Sequence, residues 1–128
     1  MPRAALSPEQ QFEQMMNGVV LQGYSTRTGR QGLSEEERYY IDKVTRIGGD
    51  TWLFQARMRL GSREFPVPVP VTIKWAGDTP VITITDLSIP GFGTYTARVL
   101  LYRGQYAGTW SGKNVSGEMF GKIVRQGE

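Results

Sequence analysis

Residues 64–75 read Glu-Phe-Pro-Val-Pro-Val-Pro-Val-Thr-Ile-Lys-Trp. Phe65, Val67, Val69, Val71, Ile73 and Trp75 alternate with Glu64, Pro66, Pro68, Pro70, Thr72 and Lys74. A strict period of two is the signature of a β-strand with one apolar face. The prolines add a constraint. Alternate N–H groups of a strand point to the same neighbour, so Pro66, Pro68 and Pro70 remove three successive donors from one side. The first half of this strand can pair fully on one side only. It is an edge, or one lip of an imperfect closure with the strand before or after it.

The rest of the chain carries the same rhythm. Strands are expected at about 19–28, 37–47, 51–60, 64–75, 80–88, 94–103, 105–111 and 115–125. Between them stand turn signals: Gly48-Gly49-Asp50, Gly61-Ser62, Gly77-Asp78, Pro90-Gly91-Phe92-Gly93, Arg103-Gly104 and Gly112-Lys113-Asn114. Only the link from Gly29 to Glu36 is longer, polar and expected to be mobile. Short links force antiparallel neighbours, because a parallel pair needs a long crossover. Eight hairpin-linked strands make a mainly β fold, an antiparallel up-and-down barrel or a strongly curled meander.

One helix precedes the strands, at 8–17. Ser7 is its N-cap, Pro8 its first residue and Gln10 the partner in a capping box, with Gly18 as stop signal. Phe12, Met15 and Met16 share a face, and so short a helix needs the body of the protein to stabilise it. It is expected to plug one end of the barrel. The reading is of a single domain over 1–128, with 1–7 flexible and 19–125 forming the meander.

The chain has no Cys and no His. That excludes a disulfide, a thiolate nucleophile, a Cys/His zinc site and an imidazole base. No cofactor is implied. No run approaches the roughly 18 apolar residues of a membrane-spanning helix. Fifteen Lys and Arg residues against twelve Asp and Glu give a net charge of +3. They are dispersed, which argues against a nucleic-acid partner. Arg57, Arg59, Lys74 and Arg98 are expected on outward faces, where Tyr39, Tyr40 and Tyr106 would flank a basic stripe. Glu35-Glu36-Glu37 reads as a solvated run. Asp42 and Asp86 lie within strands and are candidates for the interior, whereas Asp50 and Asp78 read as turn residues. Nothing pairs two carboxylates for catalysis, and the chain is read as no enzyme. Asn114-Val115-Ser116 matches a glycosylation sequon in a hairpin turn.

The aromatic residues are the best functional clue. Trp52, Phe54, Phe65, Trp75, Tyr95 and Trp110 fall on inward faces or at strand ends and form the candidate ligand-binding set. An eight-stranded barrel is filled by side chains or holds one small ligand. The small inward residues Ala56, Ala97, Gly108, Gly117 and Gly121 either accommodate the large ones or leave space.

Gly108-Thr109-Trp110-Ser111-Gly112, together with the eight-strand meander, resembles the calycin superfamily of lipocalins, fatty-acid-binding proteins and avidin-like barrels. The first strand departs from the lipocalin pattern: it has Gly23-Tyr24-Ser25 where Gly-x-Trp would stand. The resemblance implies an up-and-down barrel and a ligand beside Trp110, with Thr109 or Ser111. The expected function is non-enzymatic binding of a small apolar or amphipathic molecule. The alternative is a filled barrel serving as a structural or self-association domain, docking near Pro66, Pro68 and Pro70.

Overall fold

The computed structural model describes residues 5–60 and 63–127, with Arg59, Leu60 and Arg63 described in backbone only. The expected turn at Gly61-Ser62 lies outside the described residues. Helix α1 (Pro8–Met16) leads into β1 (Val19–Ser25), β2 (Glu37–Gly48), β3 (Thr51–Leu60), β4 (Arg63–Ala76), β5 (Thr79–Ile89), β6 (Gly93–Tyr102), β7 (Gln105–Gly112) and β8 (Val115–Arg125). Each strand pairs antiparallel with the next, and β1 pairs with β8, so the sheet closes into a barrel. The mainly β, up-and-down expectation holds. Among the described residues, no helix is long and apolar enough to cross a membrane.

The helix forms for the local reasons its sequence states. The Ser7 hydroxyl accepts from the Gln10 N–H at 3.1 Å, and the Gln10 side chain accepts from the Ser7 N–H at 2.9 Å. Asn17 ends the helix and its side chain accepts the Val44 N–H at 2.8 Å. Phe12 and Met16 are buried, and Met15 packs against the same core. The Phe12 ring stands 4.9 Å from that of Trp52, edge to face, and 6.2 Å from that of Trp75. The helix therefore plugs the barrel at the end where β1, β3, β5 and β7 begin. Around Phe12 the core continues through Val19, Val44, Phe54, Val71 and Ile73.

The opposite end is split. β3 and β4 keep unbroken register from Thr51↔Thr72 to Leu60↔Arg63. β4 and β5 pair only from Thr72↔Thr83 to Ala76↔Thr79. Proline cannot donate, so the unbroken β3–β4 ladder must draw its β4 donors from Val67, Val69 and Val71. The proline nitrogens then face β5, and the ladder on that side stops where the prolines begin. Across the gap, β5 bulges between Ile84 and Leu87, and Asp86 adopts a left-handed backbone at φ 49°. Both lips are thus built to part, which places the imperfect closure between β4 and β5. Phe65 on one lip meets Phe92 of the β5–β6 turn, with rings 6.1 Å apart.

The remaining wall curls tightly at glycines. A Cβ on Gly108 would stand 1.8 Å from the Arg98 carbonyl oxygen, and one on Gly23 would stand 1.9 Å from that of Phe120. No side chain fits there, so the strands bend sharply as small barrels require.

Candidate functional site

The six candidate aromatic residues divide between the two ends. Trp52 and Phe54 are buried, and with Trp75 they surround Phe12. The chain's own helix occupies that niche. Phe65, Tyr95 and Trp110 lie at the split end. The Tyr95 hydroxyl donates to the Phe92 carbonyl at 2.5 Å, and its ring lies against Gly112.

The small inward residues are there to be covered. A Cβ on Gly121 or on Gly23 would stand 2.7 Å from the Tyr106 hydroxyl, and a Cβ on Gly117 would stand 3.0 Å from Trp110 Nε1. Tyr106 lies over the first two glycines and Trp110 over the third. Aromatic rings here replace the missing side chains of glycines. Tyr106 is only 2% exposed, so its expected place on an outer stripe is wrong. It shares inward phase with Gly108 and Trp110 along β7.

A polar cluster lines this end. Gly23 faces Glu37 in the β1–β2 register. The Glu37 carboxylate accepts from the Ser25 hydroxyl at 3.0 Å and from the Tyr39 hydroxyl at 3.2 Å. Glu37 is half-buried, and Ser25 is buried. The reading of Glu35-Glu36-Glu37 as wholly solvated fails at Glu37, whose strand phase matches Tyr39 and Ile41 inside. Tyr39 likewise faces in rather than out. The segment 26–36 links β1 to β2 and is closed at its base: Ser25 N–H donates to Ser34 Oγ at 2.9 Å, and Ser34 N–H donates to Ser25 O at 2.8 Å.

Two buried donors have no protein partner among the described residues: the Tyr106 hydroxyl and Trp110 Nε1. Leaving a buried donor unpaired costs about 1–3 kcal/mol, so a fold that retains two such groups invites a partner for them. Electrostatics link the cluster. Burial, and then the Glu37 charge, push the Tyr106 phenol up to about 12. Burial raises Tyr39 further, helped by the charge of Glu37, the hydrogen bond to it, and the nearby phenols of Tyr106 and Tyr95.

Several outer charges are paired. Arg57 binds Asp42 at 2.8 Å and also contacts Glu64, and Lys74 binds Asp50 at 2.6 Å. The Arg57 guanidinium beside Asp42 holds that carboxyl below its usual range. Asp42 and Asp86 are exposed, not interior. Arg98 donates to Ile84 O and to Thr85, and Arg59 lies outside the described side chains. The expected basic stripe is therefore broken up by partners. No group of acidic residues among the described ones is arranged to hold a metal.

Two outer surfaces complete the picture. A hydroxyl-rich groove of about 510 Å³ runs along Thr26, Thr28, Thr96, Thr109 and Ser111. Its hydroxyls are partly satisfied within it, Thr26 by Glu118 and Thr28 by Ser116. Beside it, Leu100, Ala107, Phe120 and Tyr24 stand in one row across β6, β7, β8 and β1, and Phe120 is 42% exposed.

No protein-family model matches the chain, and the searches of curated proteins and of solved structures gave no match. At the coarse level the closed eight-stranded antiparallel barrel agrees with a calycin-like architecture.

Proposed function

We propose that this protein is a non-enzymatic binding barrel that takes a small amphipathic molecule at its split end, in the calycin manner. The observation that carries the reading is the pair of buried donors without a partner among the described residues, Tyr106 Oη beside Glu37 and Trp110 Nε1 over Gly117. Small-molecule sites are apolar and aromatic with a few polar groups that fix orientation. Phe65, Tyr95 and Trp110 supply the apolar lining, and the parted β4 and β5 lips offer a way in. Burying about 200 Å² of ligand apolar surface contributes roughly 5 kcal/mol before ordering costs, enough for micromolar binding. Trp52, Phe54 and Trp75 then serve stability instead of recognition.

The test is titration with N-phenyl-1-naphthylamine, a neutral fluorescent probe. Saturable one-to-one enhancement that falls at least tenfold in affinity with Trp110→Ala, and little with Trp75→Phe, supports the reading. No saturable binding by the parent protein sinks it.

A second reading, self-association of a filled barrel, is favoured by the exposed row Leu100–Ala107–Phe120–Tyr24 and by the glycine-covering rings, which fill space. Sedimentation velocity decides: a concentration-dependent dimer lost in Phe120→Lys favours this reading.

A further inference from the structure

We propose that the molecule held at the split end carries a protonated amine, and that Glu37 is its counter-ion. This rests on the binding reading above and adds the chemical class of the ligand.

Four acidic side chains at the surface are matched by cations. Glu36 binds Arg38 at 2.7 Å, Asp42 and Glu64 bind Arg57, and Asp50 binds Lys74. All four face outward, and Glu118, Asp78 and Asp86, which have hydroxyl contacts and no cation among the described residues, are exposed to water. Glu37 faces inward, and no Lys or Arg among the described residues pairs with it. Its protein partners are two neutral hydroxyls, Ser25 Oγ and Tyr39 Oη. An ionised carboxylate offers about four acceptor positions, so roughly half stay open. A half-buried anion without a cation is costly, and a cationic ligand offsets that cost.

The surroundings fit the same guest. Tyr39 and Tyr106 stand beside the carboxylate, with Tyr95 close to Tyr39, and the face of an aromatic ring attracts a cation. A half-buried carboxylate without a cation, beside aromatic rings, is an arrangement suited to an organic ammonium. The second, independent sign is the Tyr106 hydroxyl. It is buried, unpartnered and held over Gly23, the register partner of Glu37. Its oxygen can accept an ammonium N–H that the carboxylate leaves free, and the Trp110 N–H can donate to an acceptor elsewhere on the same molecule. An anionic ligand such as a fatty acid would set its charge against Glu37 and is disfavoured by the same geometry.

The experiment is displacement of bound N-phenyl-1-naphthylamine by n-octylamine, 1-octanol and octanoate, which share a tail and differ in charge, at neutral pH and below any micelle threshold. Octylamine should displace at a concentration at least tenfold lower than octanol, with octanoate weakest. Glu37→Gln should bring octylamine to the level of octanol, and Glu37→Asp should keep part of the preference. Should Glu37→Gln fail to fold by circular dichroism, the parent series and Glu37→Asp decide. If the probe binds and octanoate competes as well as octylamine, the ammonium inference is wrong and the binding barrel stands. An amine preference that persists unchanged in a folded Glu37→Gln overturns Glu37 as the counter-ion. If neither probe nor competitor binds the parent protein, both readings fall.

Discussion

The Tyr106 hydroxyl lies 2.7 Å from the place a Cβ on Gly23 would take. That contact, repeated at Gly121, joins the bend of the wall to the polar cluster inside it. The same residue closes the gap that the glycines open and carries the unpaired hydroxyl.

Gly23→Ala is accordingly expected to destabilise the fold by about 1–3 kcal/mol or more, since a methyl group there meets backbone that has no room to move. Gly48→Ala is the control, with no atom near the added carbon. Chemical denaturation of the two variants checks this, and equal midpoints would refute the tight-bend account.

Phe12→Ala should cost about 3–5 kcal/mol, the range for removing a buried aromatic ring. The same change should alter the fluorescence of Trp52 and Trp75, whose rings contact Phe12. A variant with parental stability and spectrum would show that the helix does not plug the barrel in solution.

Alkaline pH should expose the buried phenols. Tyr106 ionises near its ordinary value of 10 in the unfolded chain and at about 12 in the folded one. A raised folded value means that the contribution is full below pH 10 and is lost as pH rises through 12. Tyr39 acts in the same direction. The fall in melting temperature over this window should be shallower in Tyr106→Phe than in the parent. At neutral pH that variant should change stability by no more than about 1 kcal/mol, because the hydroxyl removed has no protein partner. Identical slopes would contradict the buried-phenol assignment.

Replacing Pro66, Pro68 and Pro70 together with Thr returns three donors to a lip that faces a gap. Exposed strand edges template pairing with other chains. The variant should sediment with more dimer and higher species than the parent at equal concentration. Unchanged sedimentation would count against the open-lip assignment.

Much of the fold was legible in sequence because its causes are local. The Ser7–Gln10 capping box, the hairpin turns and the period of two in β3 and β4 each act within a few residues. The proline run pointed to an imperfect seam with either neighbour, and the choice of β5 came from register, which is a tertiary fact. The site was less legible. Trp52, Phe54 and Trp75 have the inward phase and pack against Phe12, and phase along a strand does not say which end a helix will plug. Glu37 and Tyr39 share phase with Ile41, and Tyr106 shares phase with Trp110, so a signal existed. For Glu37 it was masked by the neighbouring charges. Along β2 the bulge between Ile41 and Lys43 shifts the inward phase on to Val44, which prevents one alternation from covering the strand.

The β1–β8 ladder joins Val19 to Arg125, and the Gln126 N–H donates to the Gly18 carbonyl at 2.9 Å. Nearly the whole chain lies between those partners. On a ribosome, β1 to β7 can form hairpins as they emerge, but the outer edge of β1 must wait until β8 has emerged. Until then its free edge is exposed to other chains. Topologies dominated by such distant pairings fold in milliseconds to seconds rather than microseconds. The slow step of folding in this protein is therefore expected to be the final sealing of its two outermost strands.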